Sequence, residues 1–136
     1  MMGKACVVGL YAMVDLVIEP NPLVMMDLAE MLKFEDEHAV VIAESNARAA
    51  LALVSSVDSI KLALVAAAPA DFEKSALAQV IRQKGGKVVL MGAEAEALGE
   101  AMGYSVLHRP FSQSQVLAML GEWRKQRQGT KNAELR

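Results

Sequence analysis

The sequence predicts an α/β domain built on a single five-stranded parallel sheet, doubly wound with helices on both faces. Five short aliphatic runs alternate with five longer segments of helical period, and short turns join them. Repeated β–α units form parallel sheets, because each helix returns the chain to the edge where the previous strand began. The 136 residues suffice for one such domain, and the 54% hydrophobic content with only 4% aromatics suits an aliphatic core.

The predicted strands are short and rich in Val, Leu, Ile and Ala, as strands buried on both faces are. We predict them at residues 15–18, 39–43, 61–65, 87–91 and 104–108. The first helix is expected to begin at Asn21-Pro22, where the asparagine caps free backbone N–H groups and proline occupies the first helical position. The later helices are predicted at residues 46–57, 71–84, 94–102 and 112–123.

Polar residues and glycines mark the ends of the later helices. Asp71 is predicted to cap the third helix, and Gly85-Gly86 to end it. Ser112 and Gln115 have the spacing of a capping box, in which each side chain accepts a hydrogen bond from the other residue's backbone N–H. The last helix is therefore expected to begin just after Ser112.

The two ends of the chain differ from the part between them. We expect residues 1–13 to form an N-terminal extension, either an edge segment or a non-native addition, residues 14–126 to form the domain, and residues 127–136 to form a basic, flexible tail. The net charge is −2, and the acidic body argues against nucleic acid as a partner. One cysteine and no long apolar run favour a cytoplasmic protein with no membrane partner.

The residues after the predicted strands carry the clearest functional signal. Glu19 and then Asn21-Pro22 follow the first strand, and Arg109-Pro110-Phe111 follows the fifth. Together with Leu62–Ala66 and Val88–Gly92, these segments resemble the receiver domains of response regulators in two-component signalling. The resemblance covers nearly the whole predicted domain. It implies the flavodoxin-like or CheY-like (βα)5 architecture with strand order 2-1-3-4-5.

In the receiver family, an acidic pair after the first strand holds a magnesium ion, and an aspartate at the end of the third accepts the phosphoryl group. A serine or threonine after the fourth strand, and a lysine before the proline that follows the fifth, contact the phosphoryl oxygens. The chemistry requires a carboxylate nucleophile and a cation that neutralises the charge on the transferring oxygens.

This sequence departs from that pattern at the acidic positions. Glu19 occupies the first acidic position, but Pro20 occupies the second and has no side-chain oxygen. A gapless alignment places Ala66 at the phosphoacceptor position, and an alignment anchored on Pro69 places Val65 there. Neither side chain can form an acyl phosphate. The resemblance therefore implies a domain that is not phosphorylated and has no catalytic residue.

The contacts to the phosphoryl oxygens have changed as well. Gly92 replaces the hydroxyl residue, and Arg109 replaces the lysine as a cation of different geometry. One carboxylate is too few for a hard cation, so we expect no metal and no cofactor. Glu19 and Arg109 either form an ion pair across the strand ends or are both solvated at the rim. The degenerate phosphorylation pocket comprises Glu19, Pro20, Ala66, Gly92 and Arg109.

The resemblance implies a regulatory domain that is not an enzyme and acts by binding another protein. The expected partner is a histidine kinase, a response regulator, an output protein or a second copy of this chain. In the family, the fourth helix, the fifth strand and the fifth helix form the partner surface. The corresponding interaction face comprises Glu94, Leu98, Ala101, Tyr104, His108 and Gln113.

Two other interpretations remain open at this stage. The apolar segment from Ala66 to Ala68 makes the pocket roomier than in an active receiver, which favours a domain that senses a small ligand there. Alternatively, Asp71 or Ser112 serves as an atypical phosphoacceptor. His38 and His108 are too far apart in the predicted pattern to indicate a metal site.

Overall fold

Five parallel strands form one sheet in the order β2-β1-β3-β4-β5 in the computed structural model, which describes residues 13–123. The strands are β1 (Met13–Ile18), β2 (Val41–Glu44), β3 (Ser59–Ala66), β4 (Lys87–Met91) and β5 (Ser105–Leu107). All neighbouring strands run parallel. The predicted α/β class, the single five-stranded parallel sheet and the flavodoxin-like strand order are confirmed.

Helices follow every strand. They are α1 (Pro22–Glu35), α2 (Ala47–Val54), α3 (Pro69–Glu73), α4 (Ala76–Gln83), α5 (Ala93–Leu98) with a 3₁₀ turn at Glu100–Met102, and α6, which runs from 113 to the last described residue. None of these helices has the length and apolar composition needed to cross a membrane.

Two predicted caps are present as hydrogen bonds. The backbone N–H groups of Leu23 and Val24 donate to the Asn21 side chain at 2.9 and 3.3 Å, which begins α1. At α6, the Ser112 N–H donates to Gln115 Oε1 at 3.0 Å and the Gln115 N–H donates to Ser112 Oγ at 3.2 Å. The reciprocal pair is the predicted capping box.

The third predicted helix is wrong in its start and in its continuity. Pro69 begins α3 two residues before Asp71, and Asp71 lies in the first turn instead of capping it. Proline's fixed φ favours an early start. The chain then breaks, and Ser75 Oγ accepts a hydrogen bond from the Ala78 N–H at 3.1 Å to begin α4. A side-chain cap inside the predicted segment therefore divides it into two helices.

The ends of the described region also refine the predicted boundaries. Met13, the last residue of the predicted extension, belongs to β1 and pairs with Ser59 of β3. The rest of that extension, residues 1–12, and the predicted basic tail, residues 127–136, lie outside the described residues. The fifth strand is shorter than predicted and leaves Tyr104 and His108 at its two ends.

The sheet separates two hydrophobic cores. Helices α2, α3, α4 and α5 cover one face, and α1 and α6 cover the other. Along β1, Leu16 and Ile18 belong to the first core and Val17 to the second, as the period of two residues in a strand requires. Every residue of β1 from Val14 to Ile18 is buried. Core packing on both faces of the sheet therefore fixes the positions at which β1 and β3 end, and so where the turns after them begin.

Candidate functional site

An open cleft of about 540 Å³ lies at the carboxyl ends of the strands. Such a crevice is where flavodoxin-like folds place their ligands, because the chain leaves neighbouring strands toward opposite faces of the sheet there. All residues of the predicted pocket line it. They are Glu19, Pro20, Ala66, Gly92 and Arg109, and the lining is completed by Asn21, Val24, Met91, Pro110 and Phe111.

The end of β3 distinguishes the two alignments of the phosphoacceptor position. Ala66 lines the cleft beside Met91, its partner on β4. Val65 is 2% exposed and packs into the core on the other face. The residue that β3 presents to the cleft is therefore Ala66, and it contributes only a methyl group.

Glu19 supplies the carboxylate on the β1 side of the cleft. The Asn21 backbone N–H donates to Glu19 Oε2 at 3.0 Å, so the side chain folds over the turn that precedes α1. The Glu19 backbone N–H donates to the Glu44 carbonyl of β2 at 3.1 Å. Pro20, between these two anchors, is exposed. One oxygen of Glu19, the only carboxylate in this turn, is therefore already hydrogen-bonded to the backbone of the turn.

Arg109 is held by Glu96 of α5, and its side chain remains 57% exposed at the rim of the cleft. The Arg109 backbone N–H and Nε donate to Glu96 Oε2 at 2.9 and 2.8 Å, and Arg109 Nη2 donates to Glu96 Oε1 at 3.3 Å. The expected Glu19–Arg109 ion pair is absent among the described residues, where the ion pair of Arg109 is with Glu96. Helix α5 begins beside the end of β5, so Glu96 reaches the backbone as well as the guanidinium.

This contact shifts the pKa of both partners. Hydrogen bonds from the Arg109 side chain, and then from its backbone, lower the pKa of Glu96 below its ordinary value. The hydrogen bond to Glu96 raises the pKa of Arg109, and the more distant charge of Glu19 adds the smallest contribution in the same direction. Glu19 is therefore close enough to influence Arg109 but is not its partner.

Gly92 connects β4 to α5 with a backbone conformation that favours glycine. Its φ is +107°, and a Cβ added there would meet nothing within 4 Å. A serine or threonine at this position would fit the space but would strain the backbone. The positive φ therefore favours glycine over the serine or threonine that the receiver family carries at the corresponding position.

The predicted interaction face is only partly continuous. Leu98 is 54% exposed and Met102 46%, and Glu94 and Ala101 are exposed beside them. His108 Nε2 lies 3.3 Å from Glu100 Oε2 at the end of the same surface. Gln113, the last residue of the predicted face, lies apart from the others in a second groove beside α1.

Tyr104 joins β5 to α3 and α4. Its hydroxyl donates to Glu73, and Arg82 Nη2 donates to that hydroxyl at 3.2 Å and lies 3.0 Å from Glu73 Oε1. The ring packs edge-on against Phe72, with centroids 5.8 Å apart. Partial burial, and then the hydrogen bond to Glu73, raise the pKa of Tyr104. The hydrogen bond from Tyr104 lowers the pKa of Glu73 more than burial raises it.

Sequence reasoning missed two carboxylates. Glu96 was not assigned to the pocket, although it lies in the helix that begins where β4 ends. Asp15 lies in the middle of β1 and is completely buried, the one charged residue so placed within residues 13–123. An ionisable side chain inside an aliphatic strand is a signal, because burying an ionised carboxylate is costly unless the fold compensates it.

No cluster of three or more His, Cys, Asp or Glu residues that could hold a metal ion occurs in the part of the chain that the structure describes. Comparison with family models, with curated proteins and with solved structures finds no match to this chain. The resemblance to receiver domains therefore depends on the motifs after the strands and on the shared fold.

Proposed function

We propose that this chain is a receiver-like regulatory domain that works without phosphorylation, by binding another protein in the cytoplasm. The observation that carries the proposal is the end of β3, where the residue facing the cleft is Ala66. A phosphoryl group needs a nucleophilic oxygen there, and a methyl group has none. The domain is accordingly not an enzyme and uses no cofactor.

The contact between Glu96 and Arg109 supports a domain that keeps one conformation. In an active receiver, the cation at this position answers the charge on the phosphoryl group. Here two hydrogen bonds from the guanidinium to Glu96 already occupy it, and together with a third from the Arg109 backbone N–H they join α5 to the turn after β5. The charge that would arrive with a phosphoryl group is replaced by a carboxylate of the chain itself.

The surface formed by α5 and the end of β5 is the proposed partner site. Leu98 and Met102 expose large apolar side chains there, and Ala101 leaves room for close approach. Exposed apolar groups with a polar rim, here Glu94, Glu100 and His108, are typical of transient protein interfaces. The partner class is a histidine kinase, a response regulator or its output protein, or a second copy of this chain.

The first test is incubation with acetyl phosphate and Mg²⁺, followed by intact mass measurement. We expect the mass to remain that of the unmodified protein. A stable gain of one phosphoryl group would contradict the proposal. The variants Asp71→Asn and Ser112→Ala would then show whether either of those residues is the acceptor.

The second test concerns the partner surface. Leu98→Ser should abolish capture of a kinase, regulator or output protein by the full chain, or abolish self-association measured by light scattering. Leu53→Ser is the matched control, because Leu53 is 45% exposed on α2, away from this surface. If the two substitutions had equal effects, a partner site at α5 would be contradicted.

A second candidate function is a sensor of a small ligand, and the open cleft of about 540 Å³ favours it. Most of its lining is apolar, with one carboxylate and one guanidinium at the rim, so an amphipathic metabolite suits it. A bound ligand raises the melting temperature with its concentration. A thermal-shift screen of metabolites should then give a hit that Ala66→Leu, which narrows the cleft, removes.

A further inference from the structure

The two edges of the sheet are built differently. Within residues 13–123, β2 and β5 are the edge strands, and each pairs with one neighbour. β5 has three residues, and Arg109-Pro110 follows it closely. β2 (Val41–Glu44) is longer and contains no lysine, no proline and no shift of register against β1. Very short strands, lysine, proline and bulges are the devices that keep an exposed edge from pairing. The β2 edge therefore lacks most of the usual protection.

β2 bonds to β1 through every second residue. The Asp15 N–H donates to the Val40 carbonyl at 2.9 Å, and the Glu19 N–H donates to the Glu44 carbonyl at 3.1 Å. Each residue of a parallel strand directs both of its backbone groups to one side, and the side alternates along the strand. The even-numbered residues from 40 to 44 therefore face β1, and the odd-numbered residues face away from it.

Val41 and Ala43 direct their N–H and C=O groups to the open side of β2. No strand lies on that side among the residues that the structure describes. An open groove of about 380 Å³ lies beside the strand, and Leu53 of α2, which is 45% exposed, forms part of its wall. Edges with outward backbone groups accept a further strand, whose hydrogen bonds supply the affinity.

We propose that a second copy of this chain pairs with this edge, β2 against β2 and antiparallel, about a twofold axis that passes beside Ile42. The two sheets then form one sheet of ten strands. Val41 of each copy lies opposite Ala43 of the other, and the two pairs exchange four hydrogen bonds. This register satisfies the outward backbone groups of both residues in both copies.

The side chains of β2 are complementary to themselves in this register. Opposed residues of an antiparallel pair point to the same face of the sheet. Ile42 meets Ile42 of the other copy on the side of the first core, and Val41 meets Ala43 on the side of the second. Glu44, the charged residue of β2, lies opposite Val40, so the two Glu44 carboxylates are at opposite ends of the pair. Only apolar side chains surround the axis.

The charges at the two ends of β2 favour a second copy over an unrelated extended peptide. Arg48 is exposed in the first turn of α2, beyond the carboxyl end of β2, and no ion pair found within residues 13–123 involves it. Glu37 is exposed before the amino end, where its neighbour His38 lies at 3.5 Å. An antiparallel copy brings each Arg48 toward the Glu37 of the other copy, so opposite charges meet twice.

The β2 edge is separate from the α5 surface, because β2 and β5 lie at opposite edges of the sheet. A dimer through β2 leaves α5 available to a different protein. Two substitutions distinguish the surfaces. Leu53→Ser, in the groove beside β2, should weaken the dimer and leave capture of another protein at α5 unchanged. Leu98→Ser should abolish that capture and leave the dimer unchanged.

The test combines sedimentation of the full chain from about 1 to about 500 µM with amide hydrogen exchange. One short strand and one helix make a small interface, so we expect a dissociation constant of about 10–100 µM. Exchange of the Val41 and Ala43 amides should slow as the concentration rises through this range. The Ile42 amide, which bonds to β1 in each copy, should not change. A chain that remains monomeric throughout would overturn the proposal.

The first variant removes a hydrogen-bond donor from the edge. Ala43→Pro deletes an outward N–H and keeps the bonds to β1, since proline is accepted in edge strands. Each dimer loses two hydrogen bonds, so the dissociation constant should rise at least about tenfold. Circular dichroism must show the wild-type helix content. An unchanged dissociation constant in the folded variant would refute the strand pairing.

The second set of variants tests the charges and does not alter the strand. Arg48→Glu should raise the dissociation constant about fivefold, and Glu37→Arg/Arg48→Glu, which exchanges the two charges, should return it to within about twofold of the wild type. Lys74→Glu makes the same change in charge at an exposed residue that ends α3, and should have no effect. Equal effects of Arg48→Glu and Lys74→Glu, or no recovery in the exchanged pair, would contradict the arrangement.

Other occupants of the edge have distinct signatures. If the Val41 and Ala43 amides exchange slowly at every concentration, a segment of the same chain covers the edge and the proposal is wrong. It is equally wrong if Leu98→Ser dissociates the dimer and Ala43→Pro does not, because the interface between copies is then at α5.

Discussion

The carboxylate of Glu96 accepts three hydrogen bonds from Arg109, at 2.8, 2.9 and 3.3 Å, and one of the donors is the backbone N–H. The contact therefore sets the position of the chain after β5 as well as the direction of the guanidinium. A lysine could not reproduce it, because an ammonium lacks the fork that bridges both carboxylate oxygens. The Arg109 guanidinium at the rim of the cleft is therefore already paired with Glu96 of α5.

The first prediction is that Glu96→Gln lowers the melting temperature at pH 7 and that the difference from wild type shrinks in acid. Because the pKa of Glu96 is lowered from 4.5 in the folded state, its stabilisation is present above that value and is lost as the pH falls through the folded pKa. Melting curves between pH 7 and pH 3 measure this. Glu94→Gln, an exposed neighbour on the same helix, should show no comparable convergence.

The second prediction concerns coupling between charges at the cleft. A double-mutant cycle on Glu96→Gln and Arg109→Gln should give a coupling free energy that differs from zero, because each substitution alone breaks the same contact. The parallel cycle on Glu19→Gln and Arg109→Gln should give a much smaller one. Urea unfolding of the variants supplies both values. A larger coupling for Glu19 than for Glu96 would mean that Arg109 turns toward the cleft in solution.

The third prediction is that two glycine substitutions change the free energy of unfolding in opposite directions. Gly92→Ala should destabilise the domain by roughly 1–2 kcal/mol, because an L residue is strained at φ +107°. Gly121→Ala, in α6 with open space around the added Cβ, should stabilise it by roughly 0.5–1 kcal/mol. Chemical denaturation measures the free energy of unfolding of both variants. Equal effects would show that the turn after β4 does not hold the positive φ.

The fourth prediction distinguishes the two residues at the end of β3. Val65→Asp should destabilise the domain by about 3 kcal/mol or more, because it buries a charge in the core. Ala66→Asp should cost less than about 1 kcal/mol, since its carboxylate enters the open cleft. Comparison of the two unfolding midpoints is the measurement. If Ala66→Asp were the more damaging, the assignment of Ala66 to the cleft would be incorrect.

The fifth prediction is that Tyr104→Phe costs roughly 0.5–1 kcal/mol at neutral pH, since it removes the hydroxyl shared by Glu73 and Arg82 but keeps the ring against Phe72. The pKa of Tyr104 is raised from 10.0, so its contribution is complete below that value and is lost as the pH rises through the folded pKa. The difference between Tyr104→Phe and wild type should therefore narrow above pH 10. A constant difference up to pH 12 would contradict it.

Local signals account for the parts of the fold that could be predicted. The aliphatic runs define the strands, and Asn21 and Ser112 begin their helices as expected because a cap is a contact between residues two or three apart. Ser75 was overlooked as a cap because the apolar period continues across it, so the break between α3 and α4 was missed.

The pocket residues could be predicted from their place after the strands, but the contacts between them could not. Glu19, Ala66, Gly92 and Arg109 line one cleft because the parallel sheet brings its strand ends together. The choice of Glu96 over Glu19 as the partner of Arg109 depends on the path of α5, thirteen residues before Arg109. That path is a tertiary property, and the spacing of charges along the chain does not encode it.

The deeply buried β1 has a consequence for how such a domain can change. Val14 to Ile18 hold β2 and β3 in register through both cores, and none of these contacts passes through the rim where Glu19 and Pro20 lie. The side chains of Glu19 and Pro20 can thus be exchanged without changing the packing that holds β1 between β2 and β3. An architecture of this kind fixes where the cleft lies and leaves its chemistry to the side chains that the turns present.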